Sequence, residues 1–224
     1  MSIVKITDLT KEYHNGKIFV KSLKNINLDI KKGEFSVIAG PSGSGKTTLL
    51  NIIGAMDKLT SGEIIIDGEN ISNLSKKEAA DFRRRKIGFI FQSYNLIPVL
   101  TAYENVELAL DLVGGYTKKE KDILIEEVLD QVGILELKNR KPLEMSGGQQ
   151  QRVAIARALV KKPAIVLADE PTANLDTDTG EAILDVMEKL NKELNTTFIF
   201  SSHDVMIIER AKRIIKLRDG ILQN

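Results

Sequence analysis

Phe35-Ser36-Val37-Ile38-Ala39-Gly40-Pro41-Ser42-Gly43-Ser44-Gly45-Lys46-Thr47-Thr48-Leu49-Leu50 is the stretch on which the fold turns. A short, mostly apolar run leads into a glycine-rich loop, and Leu49, Leu50, Ile52 and Ile53 follow at helical spacing, so the order is strand, loop, helix. Gly40 to Thr47 matches the phosphate-loop pattern in the setting its mechanism requires. The glycines let successive amides turn inward around an anion, and the helix start adds its positive dipole end. Lys46 is placed to reach the β- and γ-phosphates, and the Thr47 hydroxyl to ligate Mg²⁺. Gly40, Pro41, Ser42, Gly43, Ser44, Gly45, Lys46, Thr47 and Thr48 are therefore the expected nucleotide-binding residues. Average residue frequencies give on the order of one chance match per hundred chains of this length, before the strand and helix context is counted. The motif by itself does not separate a kinase, a GTPase, a helicase and a transporter ATPase.

Outward from the loop, Ile165-Val166-Leu167-Ala168-Asp169-Glu170 is an apolar strand ending in two carboxylates. Asp169 is the expected Mg²⁺ ligand, directly or through water, and Glu170 the group that orients the attacking water, since a metal-bound carboxylate has its lone pairs committed. His203 follows the apolar run 198–201, where an imidazole can stabilise a γ-phosphate. His14, in a polar loop with Asn15, Gly16 and Lys17, is expected to be structural.

The rest of the chain supplies a sheet and a helical insertion. Ile26, Leu28 and Ile30 alternate with Asn27, Asp29 and Lys31, and 61–68 is a second β-rich run, so an antiparallel element is expected near the N-terminus. Further strands are expected at 87–91, 164–168, 198–201 and 214–217, with a helix over 180–194, an alternation that implies a parallel sheet. Thr101-x-x-Glu104, Thr117-x-x-Glu120 and Ser146-x-x-Gln149 fit the capping box, so residues from about 95 to 162 read as a helical lobe inserted in one domain spanning 1–224. Arg83-Arg84-Arg85-Lys86 reads as a solvated helix end.

The 224 residues, 42% hydrophobic and 28% charged, are those of an ordinary globular chain. A net charge of +1, from 32 basic and 31 acidic residues, gives no global reason to expect nucleic acid as a partner. The absence of cysteine excludes disulfides and thiolate metal sites and permits a reducing compartment, the cytosol being the simplest home. No stretch approaches the roughly 20 apolar residues of a spanning helix, so any membrane work falls to another chain.

Met145-Ser146-Gly147-Gly148-Gln149-Gln150-Gln151-Arg152 decides among the nucleotide-using classes. It is a second helix start ready for an anion, and a capping box accounts for Ser146 and Gln149 but not for consecutive glycines, which are poor helix formers. Something must approach that backbone closely. The segment resembles the signature motif of ABC transporter nucleotide-binding domains, and the likeness extends over essentially the whole chain. The resemblance implies an α/β fold: a P-loop NTPase core of mostly parallel sheet with flanking helices, an N-terminal antiparallel β subdomain and an inserted α-helical subdomain.

It also implies that Ser146, Gly147, Gly148 and Gln149 bind the γ-phosphate of ATP held by a second copy of the chain, two copies packing head to tail. Tyr13 resembles the aromatic that stacks on adenine. Gln92 resembles the glutamine that contacts Mg²⁺ or attacking water, Asn174-Leu175-Asp176 the loop that crosses the dimer interface, and His203 the switch histidine. Met145 stands where the family most often has leucine, a near-isosteric exchange. The phrase over 88–108 resembles the lipoprotein-releasing, macrolide-efflux and antimicrobial-peptide-resistance branch. The expectation is then an ATP- and Mg²⁺-dependent ATPase driving a separate integral membrane permease docked near 92–98, on the cytoplasmic face of the membrane. A non-transport ABC ATPase, in cell division, translation or DNA repair, is the competing reading. A small-molecule kinase would leave Ser146 to Gln149 without a purpose.

Overall fold

The computed structural model describes residues 1–15 and 18–223. Of the polar loop expected at 14–17, Gly16 and Lys17 lie outside the described residues. The chain begins with β1 (Ser2–Asn15), β2 (Ile18–Lys31), β3 (Phe35–Ala39), α1 (Lys46–Ile53), β4 (Ser61–Ile66) and β5 (Glu69–Asn70). There follow α2 (Lys76–Lys86), β6 (Ile87–Ile90), α3 (Ala102–Val113), α4 (Lys118–Gln131) and, after two 3₁₀ turns, α5 (Gly147–Leu159). The remaining elements are β7 (Ile165–Asp169), α6 (Thr177–Leu194), β8 (Thr197–Ser202), α7 (Val205–Arg210), β9 (Arg213–Arg218) and β10 (Ile221–Leu222). Contacts divide the chain into two compact units, one of Met1–Arg83 with Thr197–Asn224 and one of Arg84–Thr196.

The first unit holds an antiparallel sheet in the order β2-β1-β4-β5. Ile26, Leu28 and Ile30 are buried while Asn27, Asp29 and Lys31 are exposed, so the alternation in the sequence is the alternation of the sheet's two faces. Leu28 faces Ile6 across one ladder, and Ile6 faces Ile64 across the next. The β1–β2 register shifts between Ile6 and Leu9. There Asp8 takes a left-handed φ of 50°, which a short polar side chain tolerates, and Asn27 clips it with two hydrogen bonds of 3.0 and 2.9 Å. His14 packs edge-on against Phe19 at 4.7 Å between centroids.

In the same unit β3 lies between β8 and β9, parallel to both, and β10 adds antiparallel to β9. Every residue of β3 and β8 is buried, the signature of parallel strands covered on both faces. Phe35 meets Phe198 and Phe200 at 5.8 and 4.6 Å between centroids. Burying each such ring contributes about 1.5–3 kcal/mol. The register ends with Ala39 opposite Ser202, so the loop after β3 and the residue after β8 emerge at one sheet edge.

In the second unit β6 and β7 pair in parallel, and α5 packs against α3, α4, α6 and β6. The buried Val153, Ala154, Ile155, Ala156, Ala158 and Leu159 make α5 apolar nearly all round, as a helix central to its unit must be. The expected capping boxes at Thr101, Thr117 and Ser146 are all formed, each with both reciprocal hydrogen bonds. The chain is thus a mixed α/β fold with an antiparallel β portion, parallel strands and flanking helices. Among the described residues no helix is long and apolar enough to cross a membrane.

Candidate functional site

In the first unit, the loop after β3 is shaped by where side chains cannot go. A Cβ on Gly40 would stand 2.0 Å from the Leu217 carbonyl oxygen, so only hydrogen fits there. Gly45 is the N-cap of α1 at φ 103° and offers no capping side chain, whereas α3, α4, α5 and α6 each carry one. The first amides of α1 are thereby left for an outside acceptor. Lys46 is buried and its ammonium donates to Gly40 O at 2.7 Å and Pro41 O at 3.0 Å, held inside the loop it would leave for a phosphate. The buried Ser44 hydroxyl has no hydrogen-bond partner. Thr47 is exposed, while Thr48 accepts from the Ser22 hydroxyl at 3.0 Å. An uncapped helix start, an ammonium bonded only to carbonyls and an orphaned hydroxyl fit a polyphosphate. Among the described residues no cluster of three or more His, Asp or Glu could hold a metal by itself.

Tyr13, on β1, is half-exposed, and its hydroxyl donates to Asp57 Oδ2 at 2.6 Å. The other Asp57 oxygen accepts from Lys11 Nζ at 2.7 Å, and that ammonium stands 4.5 Å from the Tyr13 ring centroid. Burial, and then the bond to Asp57, push the Tyr13 hydroxyl above its ordinary pKa, with Thr48 opposing. Burial pulls the Asp57 carboxyl upward, but the hydrogen bonds from Lys11, Tyr13 and the Lys58 amide outweigh it and hold the group below the usual range. His203, one residue past β8, is exposed at the edge where the phosphate loop begins. Asp204 behind it caps α7, accepting from the Met206 amide at 2.9 Å.

The second unit brings together Gln92, Asp169, Glu170, Asn174 and the start of α5. Asp169 is the last residue of β7, and Glu170 follows at φ 45°, a left-handed conformation that costs a non-glycine residue about 1–2 kcal/mol. The Ala173 amide closes back on Glu170 O at 3.2 Å. Asn174 Nδ2 donates to Gln92 O at 3.0 Å, joining two loops that the sequence had singled out separately. Asp176 caps α6, and the amide and hydroxyl of Thr179 hold its carboxylate below the ordinary range.

At the start of α5, Ser146 is exposed; its hydroxyl accepts from the Gln149 amide at 3.3 Å and its amide donates to Gln149 Oε1 at 2.9 Å. The close approach that the paired glycines demand comes in part from this chain itself. A Cβ on Gly147 would stand 2.9 Å from the Tyr94 hydroxyl, and one on Gly148 only 2.5 Å from Thr179 Cγ2.

Sequence reasoning passed over four residues in these units. Asp57 joins Tyr13 across 44 positions and carries no local signal. Arg157 fixes the loop after β6, donating to Asn95 O at 2.6 Å and Tyr94 O at 2.7 Å. Asn105 is wholly buried and bonds the backbone of Ile97, Leu100 and Thr101. Gln151 is wholly buried and reaches Pro171 O. The last two are polar residues on apolar helix stripes, a mismatch that spacing alone could have flagged.

Residues 23–173 match the family model described as ABC transporter. The chain is 49% identical to the ABC transporter ATP-binding protein MJ0796 of Methanocaldococcus jannaschii, over 97% of this chain and 94% of that one. A dimeric, post-hydrolysis structure of MJ0796 bound to ADP and Pi superposes with a TM-score of 0.89 at 48% identity, over 99% of this chain and 97% of that one. The lipoprotein-releasing system ATP-binding protein LolD of Francisella tularensis is 44% identical over 99% of this chain and 96% of its own length. The macrolide export ATP-binding/permease protein MacB of Syntrophobacter fumaroxidans is 42% identical over all of this chain, which spans 31% of that protein. By that family model and these relatives, the chain belongs to the ABC transporter family as one of its ATP-binding, ATP-hydrolysing cassettes.

Proposed function

We propose that two copies of this chain close head to tail on two ATP molecules and, with Mg²⁺, hydrolyse them to drive a separate membrane permease in lipoprotein-, macrolide- or peptide-type export. One observation carries this reading: a single chain offers two helix starts suited to phosphate, α1 with its lysine and α5 with its exposed serine, in two different units. One nucleotide needs one phosphate loop, so the second helix start is for the nucleotide of another copy. The dimeric MJ0796 structures support that arrangement, and the likeness to LolD and MacB supports the branch. The whole of 1–224 acts as one ABC ATPase domain, with about 95–162 as its helical subdomain, held through the permease at the cytoplasmic face of the membrane.

In this cycle Lys46 exchanges the Gly40 and Pro41 carbonyls for β- and γ-phosphate oxygens, while the uncapped amides of α1 receive the remaining charge. Mg²⁺, when bound, would supply positive charge against that developing on the phosphates. Thr47, Asp169 and Gln92 are the residues to hold it. Tyr13 carries the adenine ring. Glu170 orients the attacking water, and His203 donates to the γ-phosphate. Ser146 and the amides of Gly147, Gly148 and Gln149 complete the partner's triphosphate and exclude water from it. The loop over 92–98, pinned by Arg157, is the permease contact that feels α5 move.

Steady-state ATP hydrolysis by the wild-type and Glu170→Gln chains, with recovery of the chain from detergent-solubilised membranes, tests the reading. Turnover is expected to fall by at least about a hundredfold in the variant, and a permease to co-purify with the wild type. Unchanged turnover in the variant, or recovery with ribosomes or DNA instead of a membrane protein, overturns it.

A further inference from the structure

We infer that Gln151 is a positioning residue for hydrolysis, holding the Glu170 segment from the same helix that offers Ser146 to the partner's nucleotide; this rests on the reading of Glu170 as the group that orients water. Gln151 lies on α5, five residues past the cap, and has no exposed surface. Its Nε2 donates to Pro171 O at 2.6 Å, and Pro171 directly follows Glu170. Its Oε1 is buried and accepts no hydrogen bond. An amide with one half unsatisfied is costly inside a protein, and an apolar side chain of the same length would fill the space without that cost. Stability alone therefore does not call for glutamine here, and its contribution lies in the one bond it makes.

That bond grips a segment whose conformation needs holding. Glu170 is left-handed at φ 45°. The turn after it is closed by Ala173 N to Glu170 O at 3.2 Å and Leu175 N to Thr172 O at 3.0 Å. Pro171 has no amide hydrogen, so its carbonyl is the only backbone polar group through which it can be anchored. Without the anchor, Glu170 can relax to the negative φ that a non-glycine residue prefers, carrying its carboxylate away from the water it orients. Because Ser146 and Gln151 share one rigid helix start, movement of α5 on a partner's phosphate reaches this chain's own carboxylate through a single hydrogen bond.

The test compares kcat, KM for ATP and thermal midpoint for the wild-type, Gln151→Met and Glu170→Gln chains. Methionine matches the length of glutamine but donates nothing. Gln151→Met is expected to melt at or above the wild-type temperature and to keep KM within about twofold, while kcat falls about ten- to a hundredfold, the usual result of misplacing a reacting group by an ångström. A folded Gln151→Met chain with wild-type kcat overturns the inference, as does a loss confined to KM or to thermal stability. Should that variant not fold, Gln151→Asn, which is one methylene too short to reach Pro171 O, is expected to show the same kcat loss at unchanged KM, and wild-type kcat there overturns the inference equally. Glu170→Gln separates the two failures. If it is inactive while Gln151→Met is normal, only the role of Gln151 falls; if it turns over normally, the reading of Glu170 falls first.

Discussion

Tyr13 and Asp57 meet at 2.6 Å although 44 residues separate them, and Lys11 closes the group by bonding the same carboxylate. The ammonium lies against the ring, so the Tyr13 ring is held in one orientation, ready for the base it is proposed to carry. Removing the carboxylate frees both partners. Asp57→Ala is expected to weaken ATP binding about three- to tenfold, the effect of roughly one net hydrogen bond. Binding of inorganic triphosphate, which has no base to stack, should be unchanged. Calorimetric titration of both ligands checks this, and an equal loss for the two would place Asp57 with the phosphates instead. Nothing local announced Asp57: a carboxylate in a loop reads as solvated until its distant partner is known. The loop and helix at Lys46 and the strand ending at Asp169 were legible as elements, because each is contiguous in sequence.

Helix starts were the most legible elements, since a capping box is closed within four residues and its donors and acceptors are all local. Thr117 and Ser146 make the same pair of bonds, one on α4 and one on α5. Loss of a capping hydroxyl typically costs about 1 kcal/mol. Thr117→Ala should lower the thermal midpoint by about 2–4 °C, as expected for a chain of this size, and leave ATP turnover unchanged. Ser146→Ala should lower the midpoint by a similar amount and, on the proposed role of its hydroxyl at the partner's phosphate, also reduce turnover. Equal turnover in the two variants would leave Ser146 with a purely structural role. Elements defined by partners far away in sequence were less legible. The charged run over 83–86 signalled a helix end, yet α2 as a whole has one buried residue, Phe82, and so little apolar stripe to read. The short α7 likewise buries only Ile207. The paired glycines asked for a close neighbour, but that Tyr94 and Thr179 would supply it depends on packing that no spacing rule contains.

At the scale of the molecule, the parallel strands were foreshadowed by fully apolar runs and the antiparallel sheet by alternation, because burial on two faces and on one leaves different periods in a sequence. Charge in the folded state adds a pH dependence. Lys161 is pushed down from 10.5 to about 8 by burial. Below pH 8 the folded and unfolded chains both carry this proton, and the folded chain bears the cost of burying it. Between about 8 and 10.5 the unfolded chain holds more protons, so stability rises with pH across that window. At about 1.4 kcal/mol per pKa unit the rise is of order 3–4 kcal/mol. Denaturant melts of Lys161→Met are expected to show a correspondingly flatter profile from pH 8 to 10.5 than the wild type; parallel profiles would mean that the buried lysine is not the source.

The central proposal is that a triphosphate bound by one copy is completed by Ser146 of another. Sedimentation velocity of the Glu170→Gln chain, with and without Mg-ATP and with Ser146→Arg added, tests it most directly. A dimer that forms only with ATP and is abolished by Ser146→Arg, while nucleotide binding to the monomer persists, is the expected result. A chain that binds ATP yet sediments as a monomer at high concentration, or whose dimer is indifferent to Ser146→Arg, would contradict it.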